Sequence, residues 1–385
     1  MDIIDYIKWR GDLSLKADPF NEVDNLCISQ MSYTRLDNYV SSQSVLTIKE
    51  ASDLFFSKVS ETKVKASRSF TGIAPLVLKQ MAKSNRYKDM KIHHFVSISS
   101  AKETIQFCSF QVDLDAKTTY VVFRGTDDTL VGWREDFNLS YEITKAQQIA
   151  EEYVKDNLVF NRKYIFGGHS KGGNLAVYAA CKAPKKIKKN IINVYSNDGP
   201  GLNRDFINYE EIESIADKCI KIVPEFDFFG TIFDDDNIKH IIVKSNQFAI
   251  LQHDAMSWLV EGNRFIKAKT ISPESKVIKK GFNDFMKEVS LDQRKEFVNE
   301  VFNSFSALKV KNISELNKVT FIAFINAAKK LITMDESVRK TGIKFIKVFT
   351  QLLQFEVNEI GESIQEIADN AISSASETIG NVFKK

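Results

Sequence analysis

The residues with the most chemical potential in this chain surround Ser170. Gly168-His169-Ser170-Lys171-Gly172 is a G-x-S-x-G pentapeptide, followed directly by Gly173. Tyr164-Ile165-Phe166 before it has the composition of a strand, and Leu175-Ala176-Val177 with Ala179-Ala180 after it that of a helix. A serine on so sharp a strand-to-helix turn holds its hydroxyl clear of the sheet, and the flanking positions are glycine because a Cβ there would clash. The serine also lies at a helix N-terminus, where N–H groups and the helix dipole favour developing negative charge. These are the conditions a nucleophile needs to form an acyl intermediate.

A serine hydroxyl is a weak nucleophile and needs a base, with an acid to orient that base. The chain has five histidines: His93, His94, His169, His240 and His253. In this type of sheet the chain order is serine, acid, histidine, which leaves His240 and His253. His240 opens a strand-like run, whereas His253 lies in a loop after the last strand and is the expected base. The acid is expected at the C-terminal end of a strand between serine and histidine. Asp198 follows the first strand after the serine and Asp227 the second. The two-strand spacing and the apolar neighbours of Asp227 favour Asp227; Asp198, Glu225 and the Asp234–Asp236 cluster remain alternatives, and Asp198 also suits the Asp198-Gly199-Pro200-Gly201 turn. An oxyanion needs N–H donors. Lys171, next after the serine, offers one through its backbone. Thr126, at the glycine turn that ends Val121-Val122-Phe123-Arg124, is placed to offer another.

These residues require a scaffold of alternating elements. Residues 1–45 show no clear pattern. Leu46–Lys63 and Phe70–Lys83 have helical spacing. His94–Ser99, Phe107–Val112 and Thr119–Arg124 are rich in β-branched and aromatic residues and read as strands. Helix Ala146–Val159, strand Lys163–Phe166, helix Lys171–Lys182, strand Asn190–Ser196, helix Asn203–Asp217 and strands Lys218–Val223 and His240–Lys244 follow. This alternation predicts an α/β fold with a mostly parallel central sheet and flanking helices. Residues 281–385 read as helical, with one apolar stripe from Phe345 to Val382 and an acidic opposite face. The expected organisation is an α/β domain over 1–270 and a helical region over 271–385. The stripe fits packing on neighbouring helices, with self-association as an alternative.

Bulk composition narrows the function classes. Hydrophobic content of 43% and charged content of 27% describe an ordinary globular protein of 385 residues. A net charge of +3 is too small to argue for nucleic acid or for an anionic membrane, although peripheral membrane contact stays open. No run reaches the ~18 apolar residues of a spanning helix. The acidic start, Met1-Asp2-Ile3-Ile4-Asp5, does not resemble a secretory signal, and a cytoplasmic location is expected. Cys27, Cys108, Cys181 and Cys219 form no CxxC pair and read as buried free thiols. No metal or organic cofactor is implied.

The motifs Phe123-Arg124-Gly125-Thr126, Trp133 with Asp136, and Gly168-His169-Ser170-Lys171-Gly172-Gly173 resemble those of the class 3, fungal-type lipases among the α/β-hydrolases. Trp9-Arg10-Gly11-Asp12-Leu13, Asn21-Glu22-Val23-Asp24-Asn25, Trp133-Arg134-Glu135-Asp136 and Gln252-His253-Asp254 before Trp258 resemble, more closely, a bacterial hydrolase-like family of unassigned function. The resemblance covers about residues 5–262. It implies an α/β-hydrolase fold with Ser170 as nucleophile and Thr126 as oxyanion donor. Lys171 is a departure, since lipases of the group commonly carry leucine there. The region Pro224-Glu225-Phe226-Asp227 matches poorly. The function expected is a serine esterase, lipase-like, cleaving a carboxylic ester, thioester or lipid acyl bond of a small-molecule or lipid substrate. The alternative is a non-catalytic or regulatory protein acting through its C-terminal helices.

Overall fold

Short runs of β-branched and aromatic residues build one eight-stranded sheet: β1 (Leu46–Thr47), β2 (Lys91–Ser100), β3 (Ile105–Asp113), β4 (Thr118–Phe123), β5 (Lys163–His169), β6 (Ile191–Asn197), β7 (Cys219–Pro224) and β8 (Lys239–Val243). The computed structural model describes residues 1–307 apart from Arg68, Phe70 and Asp128. The strands lie side by side in sequence order. Pairing is antiparallel from β1 to β4 and parallel from β4 to β8. The protein therefore has a mostly parallel central sheet with flanking helices, as the alternation of elements predicts.

The order of the parallel strands decides where the helices go. Right-handed crossovers between strands added always on the same side place every connecting helix on one face. That face carries α7 (Lys145–Asn157), α8 (Lys171–Lys182) and α10 (Tyr209–Ala216). Val121, Phe123, Tyr164, Phe166 and Val194 pack there against Ala150, Tyr153, Leu175 and Ala179. The other face would be bare, and a parallel sheet is stable only when both faces are covered. The N-terminal α1 (Ile3–Arg10), α2 (Glu22–Met31), α3 (Ile48–Phe56), α4 (Glu61–Lys65) and α5 (Ala74–Met81) cover it. Tyr6, Leu26, Ile28, Ala51 and Leu78 join Tyr120, Val122, Ile165 and Tyr195 in a second core.

Several expectations change at the level of single elements. Residues 1–45 form α1 and α2. A capping box starts α2: Asn21 accepts from the Asp24 N–H, and Asp24 accepts from the Asn21 N–H. The helix expected over 46–63 is split, because Thr47 caps α3 and Ser60 caps α4. The helix expected from Asn203 begins only at Tyr209. An unanticipated helix, α6 (Leu130–Asn138), is capped by Thr129. The four cysteines are buried and unpaired.

The chain divides into two compact units, Met1–Ser275 and Lys276–Lys385. Between α8 and β6 lies the short α9 (Lys185–Lys188), and past β8 comes the hairpin of β9 (Val260–Glu261) and β10 (Arg264–Phe265). Among the described residues two further helices follow, α11 (Pro273–Glu288) and α12 (Leu291–Ala307). The apolar stripe from Phe345 to Val382 lies outside the described residues. Among the described residues, no helix is long and apolar enough to cross a membrane.

Candidate active site

Ser170 occupies the turn from β5 into α8, with φ 57° and ψ −129°. A non-glycine residue with such a φ is strained and persists only where its surroundings fix it. The fixing is done by backbone contact. A Cβ on Gly168 would sit 2.4 Å from the Phe123 carbonyl oxygen, and one on Gly172 would sit 2.1 Å from the same oxygen. The Ser170 N–H donates to the Asn197 carbonyl at 2.9 Å, locking the turn to the end of β6. Lys171 opens α8, so its N–H belongs to the first turn, whose N–H groups have no partner within the helix.

His253, in a 3-10 turn over Ala249–His253, brings its Nε2 to 3.0 Å from Ser170 Oγ. Its Nδ1 lies 2.6 Å from Asp198 Oδ2. The carboxylate accepts, so Nδ1 carries the proton and Nε2 is free to accept from the serine hydroxyl. Burial holds the His253 imidazole below its ordinary value, so it is a neutral base at rest.

The acid beside His253 is Asp198, which corrects the expectation for Asp227. Sheet register is the reason. His169 pairs with Asn197 across β5 and β6, so the residues after those strands, Ser170 and Asp198, end level on adjacent strands. Asp198 takes φ 48°, and its N–H donates to the Ile222 carbonyl of β7. Asp227 comes three residues after Pro224, the end of β7, and one strand farther out. Its carboxyl faces Asp198 and leaves the imidazole to that residue. Glu225 is exposed. Asp234 pairs with Lys221 and with His240, so His240 is engaged away from Ser170. Asp235 pairs with Arg204.

His169 has a role the sequence did not suggest. Its Nε2 is 2.9 Å from the His253 carbonyl oxygen and donates to it; its Nδ1 accepts from the Tyr33 hydroxyl at 2.9 Å. Burial holds His169 far below the ordinary histidine value, which keeps this neutral tautomer. The His253 ring lies between two others, His169 at 4.8 Å and Phe229 at 4.0 Å between centroids. Phe229 meets Trp133 of α6 edge-on at 5.8 Å. The rest of the Gln252-His253-Asp254…Trp258 motif shapes the loop. Gln252 Oε1 accepts from the Phe226 N–H, Asp254 caps the next turn, and the buried Trp258 donates to the Gln252 carbonyl. The N-terminal motif acts from below: Asn25 donates to Asn197, which donates to the Gly168 carbonyl.

The other wall is the turn after β4. Gly125 lies close under the elbow, since a Cβ on it would meet the His169 carbonyl at 2.3 Å. This brings Thr126 beside the start of α8. The Thr126 hydroxyl donates to Asp136 Oδ2 at 2.6 Å, which fixes Thr126 against α6. Lys171 is buried, with its Nζ donating to Glu135 Oε2 at 2.9 Å and to the Gln106 carbonyl at 3.0 Å. Glu135 also accepts from the N–H groups of Gln106 and Ala146. The unusual Lys171 and the Trp133-Arg134-Glu135-Asp136 motif thus form one connection between elbow and α6. Breaking it by Lys171→Met strands a buried carboxylate and is expected to cost ~3–5 kcal/mol in denaturant unfolding. Lys171→Met/Glu135→Gln is expected to recover part of that. A single variant within ~1 kcal/mol of wild type would contradict this account.

Asp136 is pushed up to about 7, chiefly by burial and against the pull of the Lys171 charge. A carboxyl raised in the folded state contributes stability that is full below its unfolded value and lost as pH rises through about 7. Asp136→Asn cannot lose a proton. Its melting temperature is therefore expected to exceed that of wild type by a few degrees at pH 8, with the gap closing toward pH 4.5. Parallel profiles of melting temperature against pH would refute it.

Among the described residues, no group of three or more His, Cys, Asp or Glu side chains is arranged to hold a metal ion. The arrangement suits proton relay and nucleophilic attack. Residues 81–303, which carry every part of the site except Tyr33 and the N-terminal supports, match the family model described as Mbeg1-like. The chain belongs to the Mbeg1-like family. No curated protein matches the sequence significantly. Three solved structures similar to this Mbeg1-like chain are lipases. The Rhizomucor miehei lipase in its propeptide complex is 16% identical with a TM-score of 0.35, over 56% of this chain and 65% of that one. A fungal lipase–inhibitor complex, presented as a model for interfacial activation, is 16% identical with a TM-score of 0.33, over 63% and 79%. M37 lipase is 17% identical with a TM-score of 0.32, over 54% and 67%. The Mbeg1-like chain thus spans 65% of the length of the Rhizomucor lipase it matches.

Proposed function

We propose that this protein is a serine hydrolase that cleaves a carboxylic ester, thioester or lipid acyl bond through an acyl-enzyme on Ser170. The observation that carries the reading is the unbroken relay from Ser170 Oγ through His253 to Asp198, at 3.0 and 2.6 Å. His253 Nε2 takes the hydroxyl proton as Oγ attacks the acyl carbon. Asp198 keeps the proton on Nδ1 and stabilises the imidazolium. The N–H groups of Thr126 and Lys171 face the developing oxyanion. His253 then returns the proton to the leaving alcohol or thiol, activates water, and the acid is released.

The test is labelling with a fluorophosphonate probe. Wild type is expected to be labelled at Ser170, with label lost by prior heating. An intact, folded protein that remains unlabelled, and that turns over no member of a panel of chromogenic esters of graded chain length, would favour a non-catalytic protein with this fold.

A further inference from the structure

The carboxyl expected in the sequence to be the relay acid is not idle in the structure. Asp227 and Asp198 are both buried, 3% and 1% exposed. Both carboxyls converge on Gly230, whose N–H donates to Asp198 Oδ1 at 3.1 Å and on which a Cβ would sit 2.8 Å from both Asp227 oxygens, and there the two groups face each other. Two facing carboxyls bond only if one of them carries a proton, since two carboxylates offer acceptors and no donor.

The surroundings decide which one. Asp198 has its charge stabilised from two other directions: His253 Nδ1–H on Oδ2 at 2.6 Å, and the Gly230 N–H on Oδ1 at 3.1 Å. Asp227 has one weaker donor, the Thr231 N–H at 3.2 Å on its Oδ1. Its own N–H is bound to Ser275 Oγ, which fixes its backbone. The charged groups around Asp227 are Asp198, Lys221 and Asp234. The Lys221 ammonium is spent on the Gly230 carbonyl and on Asp234, and Asp234 is also held by His240. Burial raises both carboxyls, and the charge of Asp198 raises Asp227 further.

We propose that Asp227 is a positioning residue: a carboxylic acid protonated at neutral pH that donates its hydrogen bond to Asp198 and holds that carboxylate toward His253. The acid of the relay is then a pair of carboxyls sharing one proton and one negative charge. This inference rests on the serine-hydrolase reading for its effect on turnover, but the protonation state of Asp227 is testable without it.

Infrared difference spectroscopy at neutral pH, wild type minus Asp227→Asn, reads that state directly. A carboxylic-acid carbonyl band present in wild type and absent from the variant supports the proposal; a carboxylate band in its place overturns it. The kinetic arm compares Asp227→Ala with Asp227→Asn. Loss of the donor leaves Asp198 a stronger acceptor, so the imidazolium is favoured and the acid limb of kcat/KM moves up by about one pH unit in Asp227→Ala. Its kcat/KM falls ~10- to 100-fold, the range for a hydrogen bond to a charged group. Asp227→Asn, a neutral donor of the same shape, is expected to restore most of the rate and the acid limb. An Asn variant no better than Ala, or an unmoved acid limb in Ala, overturns the proposal. If Ser170→Ala leaves turnover intact, the hydrolase reading fails, while the infrared result stands independently.

Discussion

Turnover of a chromogenic short-chain ester is expected to fall at least ~10³-fold in Ser170→Ala, because members of such a relay act as one unit and the loss of one forfeits the acyl-enzyme route. The serine hydroxyl is bonded to His253 Nε2, so alanine removes the nucleophile and disturbs little else. The Ser170 backbone is the strained part, and alanine at φ 57° inherits that strain. Melting temperature is expected to change little. The comparison needs both proteins purified identically, with burst amplitude measured beside the steady state. Equal rates would identify the activity as a contaminant's.

Asp198→Asn is expected to lower kcat by ~10³- to 10⁴-fold while the fold persists. The physical cause is a proton in the wrong place. The carboxylate accepts from His253 Nδ1 and so leaves Nε2 unprotonated. An amide can turn its NH2 toward Nδ1, which places the imidazole proton on Nε2, facing Ser170. The base can then no longer accept. The expected signature is a loss in kcat with near-normal melting. A fall of less than tenfold would mean that Asp198 is not the orienting acid, and so would labelling of the variant by fluorophosphonate at the wild-type rate.

The legible part of this site was the part written in neighbouring residues. Gly168 to Gly173, with a strand before and a helix after, fixes the elbow by sterics alone. His253 followed by elimination among five histidines. Asp198 against Asp227 could not be decided that way, because the choice depends on sheet register, and register is set by pairing between strands far apart in sequence. Spacing favoured Asp227; the pairing of His169 with Asn197 selected Asp198. The N-terminal helices were missed for a related reason. Asn25, Tyr33 and Arg86 matter through tertiary hydrogen bonds, such as Arg86 on Asp24, that leave no periodic trace. The helix over Leu130–Asn138 was missed because Gly132 and the polar Trp133-Arg134-Glu135-Asp136 run weaken its pattern, whereas Glu135 and Asp136 are held by Lys171 and Thr126.

The strands of this sheet follow one another without a reversal, and that has a consequence for how the molecule can be cut. The family similarity begins at residue 81, the last residue of the last helix that shields one side of the sheet. A fragment starting there would keep all three members of the relay yet leave Tyr120, Val122, Ile165 and Tyr195 wetted on an uncovered surface. It would also lose the Asn25 prop beneath the elbow and the Tyr33 hydroxyl that steadies His169. The half that carries Ser170, His253 and Asp198 is therefore not a portable cassette; the opening helices are as much a part of its chassis as the strand that leads into the serine.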